Sequence, residues 1–334
     1  MLHRRALLED WLKSILNVEH LVMECASGDA SFRSYWRVWY EGRSYIAMDA
    51  PPEKEDTERF MRIGRSLRSV GLNTPEVLFE DPGQGFLLLD DLGTRLYLNE
   101  LDTDNVDRLY GDAMGALAVI QACAPTDALP AYDAAFLRRE MDLFSEWLLE
   151  RQLGISLTAE EQSSLEQAWD ILTESALEQP RVCVHRDFHS RNLMLTNPPS
   201  PGILDFQDAV IGPVTYDLVS LLRDCYIAWP RERVDEWALG YFALAVQSGI
   251  LRPVHEGSFL RWFDLMGVQR HLKASGIFAR LNVRDAKPGY LADIPRTLSY
   301  VTEVAPRYPQ LHGLAELIES RVLPVLGSLS HLNR

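Results

Sequence analysis

The sequence predicts an α+β chain of two lobes, a small β-rich lobe over residues 1–93 and a mostly helical lobe over 94–334. Two observations predict this division. Between His20 and Leu89 short apolar or alternating runs are separated by turn signals, and from about residue 104 the apolar residues recur at helical spacing. A third locates the chemistry. The stretch 182–208, VCVHRDFHSRNLMLTNPPSPGILDFQD, sets two aspartates and an asparagine at the ends of short apolar runs.

In the first lobe, Leu7, Leu8, Trp11, Leu12 and Ile15 share one face of a helix over 4–16. Strand signals begin at 20–23. After Ser27-Gly28-Asp29-Ala30-Ser31-Phe32 comes the alternating run 35–40, and Glu41-Gly42 turns the chain into 44–48. Strand, loop, strand, turn and strand suit a hairpin that covers a nucleotide, its tip offering backbone N–H groups to phosphates and Gly28 allowing close approach. A plain hairpin has the same signature. A helix is expected over 53–70, with Phe60, Ile63, Leu67 and Val70 on one face and Glu55 and Glu58 in the first turns, where acids suit the helix dipole. A second hairpin joins 77–79 to 86–89 through Asp81-Pro82-Gly83, and Asp90-Asp91-Leu92-Gly93 leads out of the sheet.

Helices are then expected over 105–122, 133–152 and 158–178, the first marked by Val106, Leu109, Tyr110, Ala113, Leu117 and Ile120. Beyond the central stretch they are expected over 215–228, 231–248, 256–280 and 310–323, with Pro295, Pro306 and Pro309 breaking the last part.

Composition narrows the function classes. The chain has 334 residues, enough for two substantial cores, and its 47% hydrophobic and 24% charged content is ordinary for a globular protein. A net charge of −15, from 48 acids and 33 bases, argues against a nucleic-acid or anionic-membrane partner. It also means that an anionic nucleotide needs a local cation or a metal. Cys25, Cys123, Cys183 and Cys225 are widely spaced and read as reduced thiols of a cytoplasmic protein. Glu9, Asp10 and Lys13 interrupt the apolar start, so no export signal is expected, and no run approaches the ~20 apolar residues of a membrane span.

Within 182–208, Val182-Cys183-Val184, Leu193-Met194-Leu195 and Ile203-Leu204 read as strands, the last two separated by the turn-rich 197–202. Phosphoryl transfer needs a carboxylate that orients the attacking hydroxyl and takes its proton, and oxygen ligands for Mg²⁺. Asp187 suits the first task, Asn192 and Asp205 the second. The Asp-x-x-x-x-Asn spacing matches the kinase catalytic loop, and Asp205-Phe206 stands where the D-F-G pair would be. Each residue alone reads better as a buried or capping aspartate or a turn asparagine. The ordered set carries the assignment.

This segment resembles the aminoglycoside phosphotransferase and choline kinase branch of the protein-kinase-like fold, whose members phosphorylate small molecules. Gly212-Pro213 with Tyr216-Asp217 resembles that family's next block, in which an aspartate braces the catalytic loop. The similarity is closest to the bacterial anomeric kinases of cell-wall recycling, which phosphorylate N-acetylmuramate and N-acetylglucosamine at C1. It lies in SYIAMDAPPE (44–53), LLLDDLG (87–93), VHRDFHSRNLM (184–194), ILDFQDAVIGPVTYDLVSLLRDCY (203–226) and QRHLKASGIFARL (269–281).

The resemblance implies a bilobal kinase-like fold that uses ATP and Mg²⁺. It implies Asp187, Asn192 and Asp205 as catalytic residues, the last two as metal ligands. Gly28, Ser31 and Arg33 would lie at the nucleotide-covering tip, and Asp90, Asp91 and Leu92 at an adenine-binding hinge acting through backbone groups. The partner would be a small amino sugar, phosphorylated on its anomeric hydroxyl by a cytoplasmic monomer that binds neither nucleic acid nor membrane. Asp187 and Arg191 would face it. Arg270 and Lys273, three apart on a helix, would form either a solvated face or a contact for the lactyl carboxylate of N-acetylmuramate.

One departure stands out. Kinases carry a lysine on the third strand to hold the α- and β-phosphates. Here Ala47 or Met48 falls at that point, and Arg33, Arg43 and Lys54 are the candidate replacements. Two other functions remain open: a kinase for another hydroxyl (aminoglycoside, choline or homoserine), and a non-catalytic nucleotide-binding module. A cationic drug would favour an acid-lined acceptor pocket, N-acetylmuramate a basic contact.

Overall fold

The computed structural model describes residues 2–27, 32–127 and 129–332. From the N-terminus the chain forms α1 (Leu2–Leu16), β1 (Val22–Ser27), β2 (Ser34–Tyr40), β3 (Arg43–Asp49), α2 (Thr57–Ser69), β4 (Val77–Asp81) and β5 (Phe86–Asp90). The short α3 (Tyr97–Glu100), α4 (Val106–Cys123), α5 (Ala134–Leu143) and α6 (Ala159–Leu177) follow, and a π-helical turn, Phe144–Gln152, continues α5. The central stretch carries β6 (Arg181–Val184), β7 (Leu193–Met194), β8 (Gly202–Ile203) and β9 (Val210–Pro213). The remainder is α7 (Tyr216–Leu222), α8 (Arg231–Gln247), α9 (Glu256–Asp285), α10 (Ile294–Val304), α11 (His312–Leu317) and α12 (Leu323–Leu332). The chain divides into two compact units, one of residues 1–116 and 191–208, the other of 117–190 and 209–334.

In the first unit five antiparallel strands run in the order β1-β2-β3-β5-β4. Glu41 and Gly42, with φ of 49° and 75°, make the two-residue turn that pairs Tyr40 with Arg43. The two-residue repeat then puts Val38, Ala47, Phe86 and Leu88 on one face, packed on Leu8, Leu12 and Leu16 of α1. Arg4 fastens α1 to the sheet by donating from Nε to Asp49 Oδ1 (2.8 Å) and from Nη2 to the Gln84 carbonyl (2.6 Å).

The helix expected from residue 53 starts at Thr57, because Asp56 caps it by accepting the Arg59 N–H at 2.9 Å. Glu55 therefore precedes the helix rather than lying in its first turn. The β7–β8 hairpin belongs to the same unit, with the Ile203 N–H donating to the Asn73 carbonyl and the Leu195 N–H to that of Arg95, both at 2.7 Å.

The second unit is organised around α9, most of whose side chains from Phe259 to Leu281 are buried. A helix enclosed on all sides has no solvated stripe, which is why its periodicity is weak in the sequence. It runs five residues beyond the expected end, to Asp285, and stops where Ala286 takes a left-handed conformation (φ 53°). The expected helix 133–152 is regular only to Leu143. That is where Gly276 of α9 meets the backbone of Leu143 and Phe144, so closely that a Cβ would lie 2.4 Å from the Leu143 carbonyl oxygen.

Two expectations are corrected here. The helix 215–228 ends at Leu222, because Arg223 leaves helical geometry and the next residue turns its side chain to the backbone of Ser190. Pro295 does not break the C-terminal part but lies in the first turn of α10, where its missing N–H costs nothing.

Gly276→Ala should lower stability by about 1–3 kcal/mol, because the methyl group meets backbone that cannot rotate away. Gly240→Ala on α8, where a Cβ meets nothing within 4 Å, should be neutral or stabilising by up to about 1 kcal/mol. Denaturant midpoints of both variants check this, and equal midpoints would contradict the close approach.

Candidate active site

In the second unit β6 delivers the chain to His185-Arg186-Asp187, and two buried acids hold the loop that follows. Asp217, in the first turn of α7, accepts the His185 N–H at 2.6 Å and the Arg186 N–H at 2.9 Å. Burial pushes its carboxyl up to about 7 against those two donors, and the charge of Asp187 adds to the rise. Asp224 takes the other end through Oδ2, accepting the Ser190 N–H at 2.9 Å and its hydroxyl at 2.5 Å. Between the anchors Arg186 sits at φ 79°, a left-handed conformation that a non-glycine residue keeps only when its surroundings enforce it. Its Nη2 meets Glu140 Oε1 at 2.5 Å, and its guanidinium lies 5.0 Å over the Phe136 ring.

Asp187 is half-buried. Desolvation raises its carboxyl pKa, but Lys273, then His189, Arg186 and Arg270, more than offset this and hold it at about 2. Lys273 is itself buried, 3.0 Å from Glu140 Oε1 and donating to the Tyr216 hydroxyl at 2.8 Å. Glu140 also accepts the Tyr132 hydroxyl. Arg270 is buried beside Cys225, its Nη1 3.6 Å from Sγ. The pair is thus not a solvated face.

In the first unit Asn192 precedes β7 and Asp205 follows β8. The Leu204 N–H donates to the Asn192 carbonyl at 2.9 Å, and Asn192 Nδ2 lies 3.5 Å from Asp205 Oδ2. Gln207 Nε2 donates to Asp205 Oδ1 at 2.7 Å, and Asp205 too is left-handed, at φ 61°. Buried Phe206 fixes it against α2, with its ring 4.9 Å from Phe60 and in the space that Gly64 leaves open. Arg33 reaches the same acid, with Nε 3.2 Å from Glu55 Oε2 and Nη2 3.9 Å from Asp205 Oδ1.

The donor set fits a hard divalent cation, since Asp205 and Asn192 offer only oxygens. Among the described residues no group of three or more His, Cys, Asp or Glu side chains surrounds one point, so such a cation would complete its shell with phosphate oxygens and water.

At the expected hinge the side chains are engaged inside the protein. Asp91 pairs with Arg37 at 2.6 Å and accepts the Gly93 N–H, and Asp90 accepts the Glu76 N–H. Gly28 and Ser31 lie outside the described residues. Arg191 is exposed, Arg43 is at the exposed turn end of β3, and Lys54 Nζ lies 4.1 Å over the Phe32 ring.

Glu140, Asp224 and Gln207 carry no motif that singles them out in the sequence. Glu140 was detectable as an acid amid the apolar spacing of Leu137, Met141 and Phe144. Asp224 lies inside the motif that ends in R-D-C-Y, and only its contacts give it a role. The second unit also has a pocket of about 470 Å³ that none of the expected site residues line. Its Asp142 accepts the Trp169 indole N–H, and its Glu146 pairs with Arg151.

An antiparallel sheet, a helical unit and a loop–hairpin carrying Asp187, Asn192 and Asp205 together define a protein-kinase-like phosphotransferase fold. The chain belongs to the Phosphotransferase enzyme family, which matches residues 23–253. It is 47% identical to an N-acetylmuramate/N-acetylglucosamine kinase of Pseudomonas putida, over 89% of this chain and 87% of that one. A protein of the same name from Neisseria meningitidis is 40% identical, with 95% and 96% covered. Among solved structures it resembles choline kinase from Streptococcus pneumoniae (TM-score 0.63, 13% identity, 90% of this chain and 99% of that chain). It also resembles an ADP-bound aminoglycoside phosphotransferase (TM-score 0.59, 16% identity, 88% and 97%).

Asp224→Ala takes away the acceptor of the Ser190 N–H and should cost about 1–3 kcal/mol. It should speed amide exchange at Ser190, whereas Asp217→Ala should do so at His185 and Arg186. Hydrogen-exchange mass spectrometry of the 185–190 segment checks both, and an unchanged Ser190 amide in Asp224→Ala would remove Asp224 as an anchor.

Proposed function

We propose that this enzyme transfers the γ-phosphoryl group of ATP to the anomeric hydroxyl of N-acetylmuramate and N-acetylglucosamine, giving the sugar 1-phosphate in peptidoglycan recycling. The observation that carries the proposal is the 40–48% identity, across most of both chains, to proteins named for these two sugars. The electrostatics support it. The groups that hold Asp187 ionised include the cations Lys273, Arg186 and Arg270, which suits an anionic acceptor such as N-acetylmuramate and works against a cationic aminoglycoside or choline.

In this mechanism Asp187 orients the anomeric hydroxyl and accepts its proton, while Asp217 and Asp224 keep the loop in register. Asn192 and Asp205 would hold Mg²⁺, which would supply positive charge to offset that of the phosphates. Residues 1–93 cover the nucleotide, Asp90, Asp91 and Leu92 meet adenine through the backbone, and 94–334 bind the acceptor. A carboxyl at about 2 is a weak base. The anomeric hydroxyl suits it, being more acidic than an ordinary alcohol because the ring oxygen withdraws electron density. Lys273 spends its ammonium on Glu140 and Tyr216, so Arg270 is the residue proposed for the lactyl carboxylate, with exposed Arg191 toward phosphate or sugar. The protein works as a monomer in the cytoplasm.

With ATP and Mg²⁺, both free sugars should yield a 1-phosphate by phosphorus NMR, and their 1-O-methyl glycosides should yield none. Asp187→Asn should lower kcat by ~10²–10⁴-fold and leave ATP affinity nearly unchanged. Arg270→Met should hurt N-acetylmuramate more than N-acetylglucosamine, by roughly 10- to 150-fold in kcat/KM. A product phosphorylated at C6, or turnover of a methyl glycoside, would overturn the anomeric assignment. Equal losses on the two sugars would overturn the carboxylate contact.

A further inference from the structure

In this fold the cation that grips the nucleotide's α- and β-phosphates stands on the third strand, paired with an acid of the following helix. That point of the strand offers none here, its only cation being Arg43 at the turn end. Ala47 and Met48 are fully buried, and a lysine in place of Ala47, which packs against α1, would bury its charge among apolar side chains. We propose that Arg33, at the start of the neighbouring strand β2, has taken over this task, with Glu55 as the acid that aims it. The inference rests on the ATP-dependent reading above.

Three observations carry it. Arg33 has an acid partner, as a phosphate-gripping lysine has, and it also reaches toward the candidate metal ligand. Glu55, just ahead of α2, lies 3.2 Å from its Nε, and Asp205, the candidate metal ligand, lies 3.9 Å from its Nη2. The register supplies the reach, because Ser34, next to Arg33, pairs with Asp49 on β3, adjacent to Met48. The side chain is also held rather than waving in solvent, only 9% exposed and facing the negative charges of Asp205, Glu55 and Asp208.

The rival cations are committed elsewhere. Arg37 is clamped by Asp91 and the Gly93 carbonyl, Lys54 lies over Phe32, and Arg43 is at the far, exposed end of the β2–β3 hairpin. Guanidinium also suits the task, because its planar fork can span two phosphate oxygens while its charge keeps the ion pair with Glu55.

The test uses the full-length protein and two ligands, ADP with Mg²⁺ and adenosine, measured by calorimetry. Arg33→Met should weaken ADP by roughly 10- to 150-fold and leave adenosine within about 2-fold. Arg33→Lys should retain more ADP affinity than Arg33→Met, and Glu55→Gln should weaken ADP by a smaller factor with adenosine unchanged. Unaltered ADP affinity in Arg33→Met would overturn the proposal, and so would equal loss of ADP and adenosine, which would make Arg33 a residue of the fold alone. These affinities need no acceptor. A failure of the sugar assignment would therefore leave them unchanged, and a failure of the Arg33 assignment would leave the product chemistry unchanged.

Discussion

An ionised carboxylate crowded by protein needs cations beside it, because desolvation alone would protonate it. Asp187 is such a group, and much of the second unit can be read as the means of keeping it charged. The central helix α9 contributes Arg270 and Lys273, and the loop itself contributes Arg186 and His189. These cations in turn need anions. Glu140 of α5 takes both Lys273 and Arg186, which ties α5, α9 and the loop into one network. Removing one member leaves its partners as buried, uncompensated charges, a loss of several kcal/mol in general. The close approach of Gly276 to Leu143 brings the same two helices into backbone contact.

The same arrangement constrains the chemistry. Phosphoryl transfer asks little covalent work of the protein, so positioning and charge count for more than base strength. Holding the loop at both ends, by Asp217 and Asp224, suits positioning. Backbone strain at Arg186 and Asp205 falls at the two points where the candidate acids Asp187 and Asp205 are presented. In the first unit, Phe206 under Gly64 does for Asp205 what the anchors do for Asp187, so each acid is set by a buried neighbour rather than by solvent-exposed contacts.

The strands of the sheet and the β2–β3 hairpin were legible because alternation has a period of two and Glu41-Gly42 permits few turns, whereas the pairing of β3 with β5 had no local signal. The grouping of Asn192 with Asp205 was legible because apolar runs separate them at the spacing of a hairpin. The ends of α7 and α10 were not. What stops α7 is a long-range preference of Asp224 for Ser190, and Pro295 has opposite meanings at a helix start and in a helix interior. Nor was the Glu140 network legible. A buried acid in a helix stripe announces that it needs a partner, without naming one 133 residues further along the chain.

The most direct measurement of this account is the titration of the Asp187 carboxyl by carbon-13 NMR, its signal identified by its absence in Asp187→Asn. The fold favours the ionised form, so Asp187 contributes stability above its ordinary pKa of about 3.9, and that contribution is lost as the pH falls through about 2. The account predicts a midpoint near 2 in the wild type, a rise of about one unit or more in Lys273→Met, and a low midpoint kept in Lys273→Arg. A wild-type midpoint at or above the ordinary aspartate value, or one that Lys273→Met does not move, would contradict it.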